Sequence, residues 1–151
     1  MEDWEQRAYD FAKERHAHEF DDDKTTPYFD SHVLKVVAIL KCIIQDHDLI
    51  TAAYLHDTLE DTGTTFKEIA GLFGEAVASL VYEVTHEGNN RESYYFPRLK
   101  SREAAMIKFA DRLSNLSRMT IWPEEKQTDY LKRSKFWKSE STNPRVQPDS
   151  Q

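Results

Sequence analysis

Cysteine is almost missing from this chain of 151 residues: Cys42 stands alone. No intrachain disulfide can form, so a reducing, cytoplasmic setting is expected and the fold must hold by packing. Glycine (four) and proline (five) are also scarce, too few for the turns that an all-β fold consumes. The longest strictly apolar run is Val36-Val37-Ala38-Ile39-Leu40, far short of the ~20 residues of a membrane span. The opening Met1-Glu2-Asp3-Trp4-Glu5-Gln6 has neither a basic start nor an apolar stretch, and no signal peptide is expected. Positive charge is short too, with 20 Lys and Arg against 27 Asp and Glu and a formal charge of −7. A nucleic-acid binder wants a basic face, so neither nucleic acid nor membrane is an expected partner. A small phosphorylated ligand stays open, because one pocket can be locally basic on an acidic protein.

What the chain does have is helical periodicity nearly throughout and no convincing alternation of period two. The expectation is an all-α fold: one compact domain of about six to eight helices over 1–138, followed by a disordered tail at 139–151. A first helix is predicted from Trp4 to His16, carrying Trp4, Ala8, Phe11 and Ala12 on one face. The polar, acidic stretch Asp21 to Pro27 breaks it. A second runs from about Ser31 to Gln45, and its wide apolar arc (Val33, Val36, Val37, Leu40, Ile43, Ile44) marks it as central to the core. A third spans about Leu49 to Leu59 and stops at Asp61-Thr62-Gly63. Thr65-Phe66-Lys67-Glu68 matches a capping box, opening a short helix that ends at Gly71 or Gly74. Glu75 to Thr85 follows, then a polar loop from His86 to Ser93 and a long helix from about Leu99 to Thr120. Pro123 suits the first position of a last helix reaching Phe136-Trp137.

Chemistry concentrates in Tyr54-Leu55-His56-Asp57-Thr58-Leu59-Glu60-Asp61-Thr62. On one continuous helix, with His56 at zero, Asp57 falls at about 100°, Glu60 at about 40° and Asp61 at about 140°. Three carboxyl groups and an imidazole then crowd one arc of an otherwise apolar helix. Burying carboxylates together is costly unless a cation offsets them, and a metal ion is the economical cation. One His-Asp pair needs further ligands, and His32 and Asp111 are the best placed. Two imidazoles and two carboxylates suit Mn²⁺, Fe²⁺ or Zn²⁺ better than Mg²⁺ or Ca²⁺. The plain alternative for His56 is a core histidine bonded to a neighbour, and for Asp61, before Thr62-Gly63, a helix-end residue. His16, His18, His47 and His86 read as surface residues; Cys42 and the tryptophans read as packing.

His32, the pair His56-Asp57 and Asp111 reproduce the H…HD…D pattern of the HD-domain metal-dependent phosphohydrolases. Further segments, HDTLEDT, Thr65 to Ile69, Phe73-Gly74, Leu80-Val81 with Val84-Thr85, and Ile107 to Asn115, resemble the hydrolase domain of the RelA/SpoT enzymes and the small alarmone hydrolases. The resemblance covers about residues 5–120. It implies that His32, His56, Asp57 and Asp111 hold one Mn²⁺, with Fe²⁺ or Zn²⁺ as substitutes. It also implies that Glu60 and Asp61 position and activate the attacking water. Asn115 would contact the nucleoside, while Lys108 and Arg112 would offset charge on the phosphoryl oxygens. The implied reaction is removal of the 3′-pyrophosphate from (p)ppGpp by a metal-bound or metal-adjacent water.

Three positions depart from that pattern. Phe20-Asp21-Asp22-Asp23-Lys24 is acidic where the family is basic, Val33 follows His32 in place of Pro, and His86 replaces a Lys. The metal and water machinery is kept while the base-binding side changes. A second reading is therefore the same chemistry on another phosphorylated nucleotide or dinucleotide, as a phosphatase or pyrophosphohydrolase. A third is a nucleotide-binding protein that does not turn over, which gives no physical reason for so many carboxylates held together.

Overall fold

In the computed structural model, residues 1–85 and 99–133 are described. They form eight α-helices and no strand: α1 (Asp3–Arg15), α2 (Leu34–Lys41), α3 (His47–Leu55), α4 (Thr58–Asp61), α5 (Phe66–Phe73), α6 (Glu75–Val84), α7 (Arg102–Arg118) and α8 (Glu124–Arg133). The expected all-α fold is what is observed. The loop at 86–93, the end of the last helix at Phe136-Trp137 and the tail at 139–151 lie outside the described residues.

The helix α3 is the axis of the domain. From Leu49 to Leu55 every residue is buried, because α1, α2, α6 and α7 all pack against it. Ala52 and Ala53 let those neighbours approach closely, as do Ala8 and Ala12 on α1. Val36, Val37 and Leu40 of α2, Val77, Ala78 and Val81 of α6, and Ala104 and Ile107 of α7 complete one continuous core. Truncating a fully buried residue such as Leu55 to Ala removes about 2–5 kcal/mol of stability.

Two expected elements are redrawn. The predicted helix Ser31–Gln45 is two pieces: a π-helical turn, Phe29–Val33, feeds directly into α2, which already ends at Lys41. A π turn widens the backbone locally and is common where a side chain must be aimed; here that side chain is His32. The predicted helix Leu49–Leu59 is also broken. Helix α3 ends at Leu55, Asp57 takes φ −101° and ψ 0°, and α4 restarts at Thr58. The 100° spacing therefore does not carry across the pair. His56 and Asp57 turn inward, whereas Glu60 and Asp61 sit exposed on the short helix beyond.

The capping box is half realised. Thr65 Oγ1 accepts from the Glu68 amide at 3.1 Å, but the Glu68 carboxylate is taken by Arg15. Gly74, at φ 99°, lets α5 stop and α6 begin at once. Helix α7 opens on Ser101, whose hydroxyl accepts from the Ala104 amide. A short 3₁₀ turn, Met119–Ile121, then leads to Trp122, which packs with Met119 and Tyr130 to fasten α8 onto the end of α7. No helix among the described residues is long and apolar enough to cross a membrane.

Candidate metal centre

Four side chains from three places in the chain converge under this core: His32 from the π turn, His56 and Asp57 from the break after α3, and Asp111 from α7. One ligand atom of each lies within 4.8 Å of all the others. His32 Nε2 is 2.8 Å from Asp111 Oδ1 and 3.6 Å from Asp57 Oδ2. His56 Nε2 is 3.1 Å from Asp57 Oδ2 and 3.3 Å from Asp111 Oδ1. An ion about 2.1 Å from each donor leaves the donors roughly 3–4 Å apart, which is this spacing.

The outer nitrogens of both rings are already engaged. His56 Nδ1 lies 2.7 Å from the Ala53 carbonyl oxygen, which can only accept, so this nitrogen carries the proton and Nε2 faces the carboxylates. His32 Nδ1 lies 2.9 Å from Ser114 Oγ, whose hydroxyl can donate to the His32 carbonyl 3.4 Å away. Both arrangements fix the tautomer that presents Nε2 as a ligand. Tyr28 adds an outer contact, donating its hydroxyl to Asp57 Oδ2 at 2.7 Å.

The electrostatics call for a cation at the centre. Burial alone would lower the pKa of His56, but the charges of Asp57 and Asp111 outweigh it and raise the imidazole well above its ordinary value. Burial prevails at His32 and lowers it. The two carboxyls stay far down despite their burial, Asp57 held by His56 and Asp111 by Lys108 and both imidazoles. A proton on His56 thus supplies the positive charge that a divalent ion would bring. The donor set, its spacing and its supporting bonds fit such an ion.

Glu60 and Asp61 lie at the rim, on α4. Asp61 is open on one side, but the protein around its carboxyl desolvates it, and Asp57, Glu19 and Glu60 repel a further charge; its pKa is pushed up to about 8. Lys108 is buried with Nζ 3.0 Å from Asp111 Oδ2. Arg112 is buried with its guanidinium 5.0 Å from the centre of the Tyr130 ring. Asn115 is buried on α7 rather than set on a solvated helix face. Its Nδ2 donates to Tyr130 Oη, and its Oδ1 accepts from Arg118 Nε and Nη2 at 2.9 and 2.6 Å.

Several supporting residues were not singled out in the sequence: Tyr28, Ser114, Arg118 and Tyr130. Spacing offered a signal for three of them. Tyr28 precedes His32 by four positions, while Ser114 and Arg118 follow Asp111 and Asn115 by three, where helical neighbours meet. His16, expected at the surface, is buried, with Nδ1 bonded to Glu19 and its ring beside Tyr28. His18 and His47 are exposed as expected; His86 lies outside the described residues.

The acidic stretch does not project freely. Asp21 is 4% exposed and pairs with Arg118 Nη1 at 2.8 Å. Asp22 pairs with Lys126 at 2.9 Å. Asp23 turns back on its own loop, accepting from the amides of Thr25 and Thr26 and the Thr26 hydroxyl, bonds that hold its carboxyl down to about 2.

The family model described as HD domain matches residues 8–135. The guanosine-3′,5′-bis(diphosphate) 3′-pyrophosphohydrolase of Aquifex aeolicus is 39% identical over 138 residues, covering 85% of this chain and 20% of that protein. The enzyme of the same name, MESH1, from Xenopus tropicalis is 37% identical over 148 residues, covering 88% of this chain and 79% of its own. This chain thus spans about a fifth of the bacterial relative but most of the animal one. A solved structure of a metazoan orthologue of SpoT, described as hydrolysing ppGpp, superposes with a TM-score of 0.78 at 29% identity, covering 90% of this chain and 84% of that one.

Proposed function

The chain belongs to the HD domain family, and on that premise we propose that it is a metal-dependent phosphohydrolase that removes the 3′-pyrophosphate of (p)ppGpp. The observation that carries this reading is the convergence of His32, His56, Asp57 and Asp111 with the Glu60-Asp61 pair one helical turn away. The relatives named for the same reaction support it, the animal enzymes over most of their length. Mn²⁺ is the proposed ion, with Fe²⁺ or Zn²⁺ compatible with two imidazoles and two carboxylates.

When bound, the divalent ion would polarise a phosphoryl oxygen and make a nearby water more acidic. In hydrolysis the water oxygen bonds to the phosphorus next to the 3′ oxygen and the P–O3′ bond breaks. One proton of the water ends on the released 3′ oxygen. Asp61 would take that proton and pass it on, with Glu60 orienting the water beside it. Lys108 offsets charge gathering on the phosphoryl oxygens. Arg112 would share that role, and Asn115 would contact the nucleoside.

A second reading has its own observation. The acidic stretch beside the site already neutralises Arg118 and Lys126, which favours a substrate with fewer phosphates than the alarmones carry.

Product analysis by chromatography with Mn²⁺ separates the two, with ppGpp, pppGpp, ordinary nucleotides and nicotinamide dinucleotides offered side by side. GDP and pyrophosphate from ppGpp, lost on adding chelator and in Glu60→Gln, is the expected result. Phosphate or pyrophosphate released only from another nucleotide would transfer the reading to that substrate.

A further inference from the structure

Helix α4 carries the Glu60-Asp61 pair on only four residues, Thr58–Asp61, far too few for a helix that stands by itself. Packing secures its first half, where Thr58 is fully buried and Leu59 lies against the core. The second half, with both carboxyl groups, is exposed. What fixes it is a row of hydrogen bonds that leads away from the metal cluster.

Each proton in that row has one direction open to it. Thr62 Oγ1 lies 2.8 Å from the Thr58 carbonyl oxygen, which can only accept, so the Thr62 hydroxyl donates there and closes the end of α4. Its oxygen lies 2.7 Å from Thr64 Oγ1, and Thr64 must then be the donor of that pair. Thr64 accepts in turn from Arg15 Nη1 at 3.2 Å, because a guanidinium only donates. Gly63, at φ 75°, makes the turn between the two threonines. Thr64 is buried, so its hydroxyl has no solvent to fall back on. Arg15, the last residue of α1, is itself held: its terminal nitrogens donate to both oxygens of Glu68 on α5, and its guanidinium lies 4.5 Å from the centre of the Phe11 ring. The pairing of Arg15 with Glu68 joins α1 to α5 without any threonine. The added bond to Thr64 extends that joint to α4. At the opposite end, Thr58 Oγ1 donates to the Leu55 carbonyl at 2.7 Å and ties the start of α4 to α3.

We propose that Arg15, Thr62 and Thr64 are positioning residues: their row of hydrogen bonds holds α4 on α1 and α5, so that Glu60 and Asp61 meet the attacking water at a fixed place beside the metal cluster. The assignment rests on the reading of that pair as the water-handling carboxyls and names what keeps them in place.

The test is steady-state hydrolysis of ppGpp by Mn²⁺-loaded Thr62→Val and Thr64→Val, which keep the side-chain shape and remove the hydroxyl. Displaced carboxyls with unchanged binding should lower kcat by about ten-fold while KM and Mn²⁺ affinity stay within about two-fold. Thr62→Ser, which restores the donor, should return kcat to the wild-type range. The two valine changes together should lose no more than either alone, and Thr62→Val should cost nothing further on top of Asp61→Asn, since groups that act through one another do not sum. Thermal melts check that every variant is folded.

Amide hydrogen exchange gives a readout that needs no substrate. The Asp61 and Thr62 amides, bonded to the Asp57 and Thr58 carbonyls, should exchange about five-fold faster in Thr64→Val, the scale of one lost hydrogen bond. Wild-type kcat in the folded valine variants overturns the proposal. So does a loss that Thr62→Ser fails to restore, that comes with weakened Mn²⁺ binding, or that multiplies with the loss in Asp61→Asn. A wild type that cleaves no ppGpp removes the alarmone reading, and exchange at α4 then decides the positioning by itself: faster exchange keeps it, unchanged exchange overturns it.

Discussion

Ser114 Oγ and His32 Nδ1 lie 2.9 Å apart across 82 positions of chain, so the hydroxyl of one helix sets which nitrogen the π turn offers to the metal cluster. Bonds of this kind orient a ligand imidazole and keep it neutral at the coordinating nitrogen.

Ser114→Ala should therefore weaken divalent-metal affinity by about 10–100-fold while leaving the fold intact. Competition with a chromogenic chelator measures the affinity, and circular dichroism checks the fold. Affinity equal to the wild type would show that packing alone orients His32.

His56→Ala and Asp57→Ala remove a ligand outright. Metal content after dialysis should fall to background in both. The rise in melting temperature that Mn²⁺ gives the wild type should vanish, because an ion stabilises only the state that binds it. Retained stoichiometric metal would show that the ion sits elsewhere.

Glu60→Gln and Asp61→Asn should behave differently from the ligand variants. Both residues lie on α4, beyond the break, and the four donor atoms do not include theirs. Metal should stay bound while turnover drops about 10²-fold or more, the usual size for a lost proton acceptor. Steady-state rates and metal analysis on the same preparations decide it.

Glu5 anchors α1 to α3 and α2 at a distance from the site. Its Oε2 accepts from the Tyr54 hydroxyl at 2.6 Å and from Lys41 Nζ at 2.7 Å. Burial alone would raise its carboxyl, but the bonds to Lys41 and Tyr54 outweigh it and hold the pKa below 4.5. A carboxyl lowered on folding contributes stability that is present above its unfolded value and is lost as pH falls through the folded one. Glu5→Gln should thus cost about 1–3 kcal/mol at neutral pH. That deficit should shrink as the pH drops below 4.5 in urea titrations of both proteins. A deficit independent of pH would assign the loss to packing.

Much of the molecule was legible before any coordinates. The apolar stripes of Val33 to Leu40, Val77 to Val84 and Ala104 to Ala110 repeat at helical spacing, so the elements and most of the core followed from periodicity. The pairing of His56 with Asp57 was legible too, because carboxyl groups on an apolar helix demand a counter-charge.

The break at Asp57 was not legible. Local propensity favours one helix from Leu49 to Leu59, whereas the turned-in Asp57 meets the imidazoles of His56 and His32 and the Tyr28 hydroxyl, partners that local sequence does not show. For the same reason the sequence showed the acidic run Asp21-Asp22-Asp23 only as a helix-breaking stretch, without its partners. Arg118 and Lys126, which neutralise two of its members, are 97 and 104 residues away in the chain.

By itself, then, the sequence determined an all-helical fold, the residue types of a metal cluster and the carboxyl pair Glu60-Asp61 that follows it. These rest on short-range spacing and on chemistry that each residue carries alone. Tertiary structure decided which nitrogen of each imidazole faces inward, where the helix carrying the pair must break, and that Arg118 and Lys126 are already matched by Asp21 and Asp22. Those properties depend on charges and hydrogen-bonding partners brought together from distant parts of the chain, and no local pattern encodes a distance between them.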